Sequence, residues 1–318
     1  MTTGLWTAFL ANFLFWTAAA AGGTAFAALV DLTNARWAAP LRATARRCRR
    51  FLPLSVALYV VLLIGARRIY PWISHPIGSR WLQFWPFAIR DFVALGTIAA
   101  AGEWFWSRSI ATTVRAVVFL LAYAVGFSIL AIDLVMSLGA PWGSTLFPAY
   151  VFFGNMYAAT AGVGLVTVST RRRHEDALTD EGIADLANVL LGFSLLWMYF
   201  VWSQYLVIWY GNIGDEVAYL GRLLDGTWRP LPWIIWTARF ALPFVVLLPC
   251  AGKRRIPVAG VALLIAAGFW GECFLLVAPA ASGPPTVAAA IGMTTAFFAL
   301  FALVTDRQSD SPAWRDAS

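Results

Sequence analysis

The sequence predicts an all-α, polytopic transmembrane helix bundle of about nine spans, and three observations carry that prediction. Hydrophobic residues make up 60% of the 318 and charged residues only 12%, which leaves too little polar surface to cover a soluble globule. Apolar runs recur along the chain at lengths of about 20 residues, enough to cross the ~30 Å hydrocarbon core of a bilayer at ~1.5 Å per residue. Lys and Arg gather in the short segments between those runs, so the net charge of +7 reads as membrane topology and not as nucleic-acid binding. The remaining composition narrows the chemistry. Three cysteines, Cys48, Cys250 and Cys273, lie far apart without metal-ligand spacing, so no disulfide framework, zinc site or iron–sulfur site is indicated. The two histidines, His75 and His174, both fall in predicted loops, which argues against a haem b held between histidines inside the membrane.

Taken in order, the first span covers 5–30; its apolar run is too long, and too free of preceding Lys or Arg, for a secretory signal peptide. The segment DLTNARWAAPLRATARRCRR follows, carrying Arg36, Arg42, Arg46, Arg47, Arg49 and Arg50, and reads as a basic amphipathic stretch at a membrane face. Further spans are expected at 51–64, 87–106, 113–136, 146–168, 183–210, 233–250, 258–278 and 286–304. The second is short in its apolar core and relies on ARRIYPW as an interfacial anchor. The sixth, within LLGFSLLWMYFVWSQYLVIWYGNIGDE at 190–216, has Trp197, Tyr199, Trp202, Ser203, Gln204, Tyr205, Trp209 and Tyr210 pointing all around a 3.6-residue helix. Polar handles on every side predict protein neighbours on every side, so this helix is expected inside the bundle. Residues 1–306 form the bundle, and 307–318 read as a disordered cytoplasmic tail.

An odd number of spans puts the two ends of the chain on opposite sides. With the N-terminus outside, sixteen Lys and Arg fall on inner segments, six on outer loops, and Arg239 within a span, out of the 23 present. The expected orientation is therefore N-terminus outside and C-terminus cytoplasmic.

Ionisable groups within spans are costly, and each is a candidate for pairing or for function. Asp133, Gln204, Arg239 and Glu272 each fall about six residues, or ~9 Å, below the outer end of their span. That shared depth predicts one polar layer near the outer face, rimmed by Trp202, Tyr205, Trp209 and Trp270. Two readings stay open. In the first, Arg239 neutralises Asp133 or Glu272, Arg90 pairs with Asp91, and the layer only locks helices together. In the second, the layer handles a quinol headgroup or its protons, since a partly desolvated carboxylate can accept one. Glu103 and Arg115 are placed to pair across a short inner loop, and the turn DLVMSLGAPWGSTLFP is shaped by Gly139, Pro141 and Gly143 with Trp142 as an interfacial anchor. The midplane offers only hydroxyls such as Tyr123, Ser128, Thr160 and Ser194, so no carboxylate relay for an autonomous proton pump is expected.

Two stretches resemble a known family. DLVMSLGAPWGSTLFPAYVFFGN is similar to the D-W-x-M-S-L-x-P-x-W-x-S-T-x-F-G turn, and LWMYFVWSQYLVIWYGNIGDE to the F-W-A-Y-x-x-F-S-Q-Y-x-L-I-W-Y-A-N-I-P-E-E helix, of the second large polytopic subunit of alternative complex III. That complex is a bacterial quinol:electron-acceptor oxidoreductase, and the subunit is distantly related to the polysulfide-reductase membrane subunit. LTNARWAAPLR, RRIYPW, ARFALPFVVLL and ECFLLVAP extend the resemblance over most of the chain from the first span to the eighth. The chain departs from the family at Leu134 for its Trp, Asn188 for its Lys, Arg239 for its His and Glu272 for its Asp. The resemblance implies a multi-pass subunit of the bacterial inner membrane that is not an enzyme alone. Its implied partners are an iron–sulfur subunit, c-type cytochrome subunits and a second polytopic subunit, which would hold the haem c and iron–sulfur clusters. This chain would bind no redox metal, and a quinol is its candidate ligand. The residues carried over are Asp133, Ser203, Gln204 and Tyr205, with Glu272 as a conservative replacement, and Trp142 as structure. A purely structural scaffold of such a complex is the alternative. A free-standing transporter is less favoured, because neither an inverted repeat nor a matching pair of Gly/Pro-broken spans is visible.

Overall fold

The computed structural model of the chain describes residues 3–107, 112–140, 142–170, 178–224, 228–279 and 285–306. Its helices are α1 (Thr3–Thr33), α2 (Ala39–Cys48), α3 (Phe51–Ile69), α4 (Pro71–Ser74), α5 (Phe84–Phe105), α6 (Thr112–Leu130), α7 (Phe147–Ser169), α8 (Asp180–Gly211), α9 (Gly214–Leu224), α10 (Pro230–Trp236), α11 (Leu242–Leu247), α12 (Arg255–Val277) and α13 (Val287–Asp306). Nine helices among the described residues are long and apolar enough to cross a membrane, with α10 and α11 counted as one through the helical turn that joins them. The protein is a multi-pass, all-α membrane protein. The basic segment after α1 forms the amphipathic α2, and the second span runs five residues beyond the 51–64 expected for it. Arg171, Arg172, Arg173, His174, Pro141 and the tail at 307–318 lie outside the described residues.

Side-chain contacts sort the helix ends into two sets. One set joins Tyr70, Trp72, Trp81, Arg90, Asp133 and Ser137, together with Trp142 and Tyr219, and is called here the Asp133 end. The other joins Asp31 with Arg42, Arg49 with Glu103, Thr44 with Thr167, and Arg255 with the Val168 carbonyl, and is called the Arg42 end. At that end Glu103 takes Arg49, at 3.2 Å, where the sequence had offered Arg115. Arg115 instead donates to the Phe105 carbonyl at 3.2 Å, because its helix starts close beneath the last turn of α5.

The enclosed helix is α1, not α8. In its most apolar window 78% of residues are buried, against 39% for α8, because neighbours can approach the small-residue run Ala18–Gly23 closely from several sides. Gly22 marks the tightest seam: a Cβ there would stand 2.7 Å from the Asn155 carbonyl oxygen and 2.8 Å from the Ala159 Cβ on α7. Along α8, by contrast, Leu195, Tyr199, Trp202, Tyr205, Leu206, Val207, Trp209 and Tyr210 are exposed. Aromatic hydroxyls and indole N–H groups can sit at a membrane interface with their rings in apolar surroundings, so polar handles did not require protein on every side. Exposed Ile64, Val245, Val287 and Leu303 show the same outward-facing apolar surface on other helices, as expected where lipid is the solvent. Several buried polar side chains within spans return a hydrogen bond to their own helix, as with Asn12 to the Ala8 carbonyl at 2.9 Å and Thr160 to the Met156 carbonyl at 2.8 Å.

Two interruptions matter for the site. After α6 the chain makes a π turn over Ala131–Val135 and a 3₁₀ turn over Met136–Gly139, and between α10 and α11 it makes a second π turn over Thr237–Ala241. Each π turn carries one of the buried charged residues, Asp133 and Arg239.

Replacing Gly22 with Leu is expected to lower stability in detergent by ~1–3 kcal/mol, the usual cost of overpacking, because the added side chain meets α7 backbone. Gly192→Ala, where nothing lies within 4 Å of the new Cβ, is the control and should leave the thermal unfolding midpoint unchanged or slightly raised. The two melting curves check this directly.

Candidate functional site

Apart from Arg115 at the Arg42 end, the buried charges form two groups whose hydrogen bonds and ion pairs have no residue in common among the described residues. The single layer of Asp133, Gln204, Arg239 and Glu272 expected from their shared depth is therefore not formed. A helix presents a residue at a given depth in any direction around its axis, and depth alone could not fix which neighbour each would face.

The first group is centred on Asp133, which is fully buried. Its carboxylate accepts from the Trp81 indole N–H at 2.7 Å and from Arg90 Nε at 2.6 Å. The Arg90 guanidinium also stacks 3.8 Å over the Trp81 ring. Arg90 thus pairs with Asp133 across two helices and not, as the sequence suggested, with its chain neighbour Asp91. Adjacent helical residues point about 100° apart, so the neighbour in sequence is a poor partner in space. Asp91 is itself fully buried, accepts from the Tyr59 hydroxyl at 3.4 Å, and has the Asp133 carboxyl as an electrostatic neighbour. Its Oδ1 has no donor. Two neighbouring carboxyl groups thus stand beside one guanidinium, which bonds Asp133 alone, and a proton held between them would balance the charge.

The backbone around Asp133 is held from outside its own helix. Changing from α to π to 3₁₀ spacing withdraws some i→i−4 donors, and side chains take over the carbonyls. Tyr70 donates to the Leu134 carbonyl at 3.1 Å, Ser137 donates to the Asp133 carbonyl at 2.5 Å, and the Trp72 indole donates to the Ser137 hydroxyl at 3.3 Å. Just beyond, Trp142 is buried and stacks flat on Tyr219 of α9 at 3.7 Å, while Arg222 donates to the Gly139 carbonyl. Burial pushes the Tyr219 phenol well above its ordinary pKa, so the stack stays neutral. Trp142 is therefore a packing residue for the turn and not an interfacial anchor.

The second group is the ion pair of Arg239 with Glu272, both buried. Glu272 also accepts from Tyr150 and, at 3.0 Å, from the Trp197 indole N–H. Arg239 donates to the Gly154 carbonyl at 2.9 Å, and its guanidinium is surrounded by the rings of Tyr157, Trp197 and Phe269 at 4.9–5.2 Å. Room for the arginine stem comes from Gly268, where a Cβ would stand 2.9 Å from Arg239 Cγ. Pro243 explains the π turn: it has no N–H to give the carbonyl four residues back, which is that of Arg239. The Tyr157 hydroxyl supplies that bond at 2.8 Å. Of the two pairings the sequence left open for Arg239, the structure makes the one with Glu272.

Gln204, Ser203 and Tyr205 belong to neither group: they lie on the outward face of α8, Gln204 and Ser203 half-buried and Tyr205 exposed. Trp202 and Trp209 are exposed there as well, so neither rims a polar layer. Trp270 faces α13 and donates to Thr294 at 3.1 Å. Sequence reading missed Trp81, Tyr59, Tyr70, Tyr150 and Tyr157 as partners of the charges. Pro243 in ARFALPF was the available signal for one of them, since it predicts a free carbonyl at Arg239. A cavity of about 30 Å³ beside Glu272, bordered by Ala131, Val135, Tyr150 and Asn155, separates the two groups; it has room for about one water. Among the described residues no three of His, Cys, Asp and Glu are grouped to hold a metal ion. No family model matches the chain, and no curated protein does either.

Breaking the second group from one side should cost more than removing it whole. Glu272→Leu alone is expected to destabilise by ~3–5 kcal/mol, since it strands a buried guanidinium, while Arg239→Met with Glu272→Leu should recover a large part of that loss. A double-mutant cycle on thermal stability in detergent checks this.

Proposed function

We propose that this chain is an integral membrane subunit of an alternative-complex-III-like quinol:electron-acceptor oxidoreductase of a bacterial inner membrane, and that its own contribution is proton handling near the periplasmic face. The observation that carries the proton role is the buried Asp91–Asp133 pair with a single guanidinium, Arg90, between bulk solvent and the bundle. Such a trio holds one proton by charge balance, and it lies beneath a cover only as thick as Trp81, which is half exposed. The Arg239–Glu272 pair balances its own charge and is assigned as the lock between α7, α8 and α12. The space beside Glu272 suits a water and not a quinol ring, which needs a pocket of ~300 Å³ or more. The role in the assembly is supported by the family-like run along α8, whose aromatic and polar residues Trp202, Gln204, Tyr205 and Trp209 face outward and offer a surface for a second polytopic subunit. The basic residues at the Arg42 end support a cytoplasmic setting for that end and an outer one for the Asp133 end.

A scaffold role is the second reading, favoured by the ion pair of Arg239 with Glu272. Purification in mild detergent is expected to bring down haem c and iron–sulfur partners; a chain recovered alone and active in transport would end the proposal. In the assembled complex, Asp133→Asn and Asp91→Asn should each lower quinol oxidation tenfold or more and flatten its pH dependence. Turnover that stays level in both variants, with normal assembly, would leave only the scaffold.

A further inference from the structure

The segment 75–83 joins α4 to α5 outside any helix and passes over the Asp133 carboxyl. Gly78 takes a left-handed backbone, φ +74°, with nothing within 4 Å of a Cβ placed there, and the Ser79 hydroxyl accepts from the backbone N–H groups of Trp81 and Leu82 at 3.2 and 3.3 Å. Those bonds shape the segment but do not fasten it. Among the described residues, the hydrogen bonds that join 76–82 to the helices of the bundle both run through Trp81. Its indole N–H donates to Asp133 Oδ1 at 2.7 Å, and its carbonyl accepts from Arg90 at 3.4 Å. The Arg90 guanidinium, stacked 3.8 Å over the indole, bonds Asp133 Oδ2 at the same time. One ring and one guanidinium therefore stand between this carboxyl and solvent. Trp81 is 46% exposed and the Arg90 side chain 19%, whereas Asp91, Tyr59 and Tyr70, the other titratable groups facing Asp133 among the described residues, are fully buried.

We propose that Trp81 gates the proton site assigned above, a reading on which this inference rests: with Asp133 charged the indole holds 75–83 closed over it, and with Asp133 protonated the segment lifts and opens the carboxyl to solvent. Charge decides the grip. Hydrogen bonds to an ionised acceptor are roughly twice as strong as those to a neutral one, and both ties on Trp81, its own N–H bond and the stacked Arg90, are oriented by the same carboxylate. Protonation removes the charge that both follow. The proton comes from a hydronium ion that reaches Oδ1 during a brief opening; the O–H bond forms there, a water is left behind, and the reverse step returns the proton to solvent. Little packing opposes the motion, since His75, Pro76, Ile77, Arg80 and Trp81 are already exposed.

The test follows backbone hydrogen exchange of 76–82 by mass spectrometry on the whole chain in detergent, corrected for the intrinsic pH dependence of exchange, with α12 as the internal reference. Asp133→Asn keeps the shape and removes the charge, and Trp81→Phe keeps a ring and removes the N–H. Each should speed exchange of 76–82 about tenfold at neutral pH and leave α12 unchanged. In the unmodified chain acidification should produce the same rise, and in Asp133→Asn, already open, it should produce none. His75→Gln should retain the pH response, and Arg80→Gln should leave exchange as it is, since neither side chain bonds Asp133. If Asp133→Asn loosens α12 as well, Trp81→Phe at the surface decides alone. Exchange that is equal in the unmodified chain and Trp81→Phe, or that ignores pH in the unmodified chain, would overturn the gate whatever the turnover of the assembled complex. A segment that responds as stated, beside level turnover in the Asp133→Asn and Asp91→Asn complexes, would uphold the gate and end the proton role in the assembly.

Discussion

A guanidinium buried among hydrocarbon has no water to fall back on, so Arg239 depends on partners that the chain itself supplies, and they come from three helices. Glu272 on α12 gives the opposing charge, the Gly154 carbonyl on α7 gives an acceptor, Trp197 on α8 and Phe269 on α12 give ring faces, and Gly268 gives the space for the stem. Those requirements fix the relative placement of three long helices. One oxygen of Glu272, Oε1, accepts from both Tyr150 and Trp197 while Oε2 faces Arg239, so the pair adds specificity to a surface where helix association has little hydrophobic driving force of its own.

The same rule operates on the backbone. Asp133 and Arg239 both ride on π turns, and a π turn leaves carbonyls that need donors. Tyrosine supplies them at each place: Tyr70 to Leu134, and Tyr157 to Arg239. These hydroxyls reach from other helices, which ties a local irregularity to the packing of the whole bundle. The wider turn also re-aims its side chain, and that is how Asp133 comes to meet Arg90 and Asp91 on α5.

The aromatic run on α8 behaves differently. Trp202, Gln204, Tyr205 and Trp209 look, in sequence, like the lining of an interior site. In the fold the interior is built by α1, whose Ala and Gly residues have almost nothing to say chemically but let other helices come close. Polarity on a membrane helix marks where something other than lipid tails is met, whether an interface, a partner or a core, and the period of the helix does not distinguish these. Trp142 illustrates the converse, since a Trp that reads as an interfacial anchor is packed flat against Tyr219 beneath the surface.

The sequence by itself determined the class of protein, the number of spans and nearly all of their limits, because span length and apolarity are one-dimensional properties set by bilayer thickness. It also determined which residues would be expensive: Asp133, Arg239 and Glu272 were visible as charges within apolar runs. Only the tertiary structure decided who pairs with whom. Arg90 chose Asp133 over Asp91, Arg239 chose Glu272, and Glu103 took Arg49, because pairing depends on the rotation of each helix about its axis and on two π turns that shift that rotation partway along. Rotation is set by close packing of small residues on α1 and α7, a three-dimensional condition that no single stretch of chain contains.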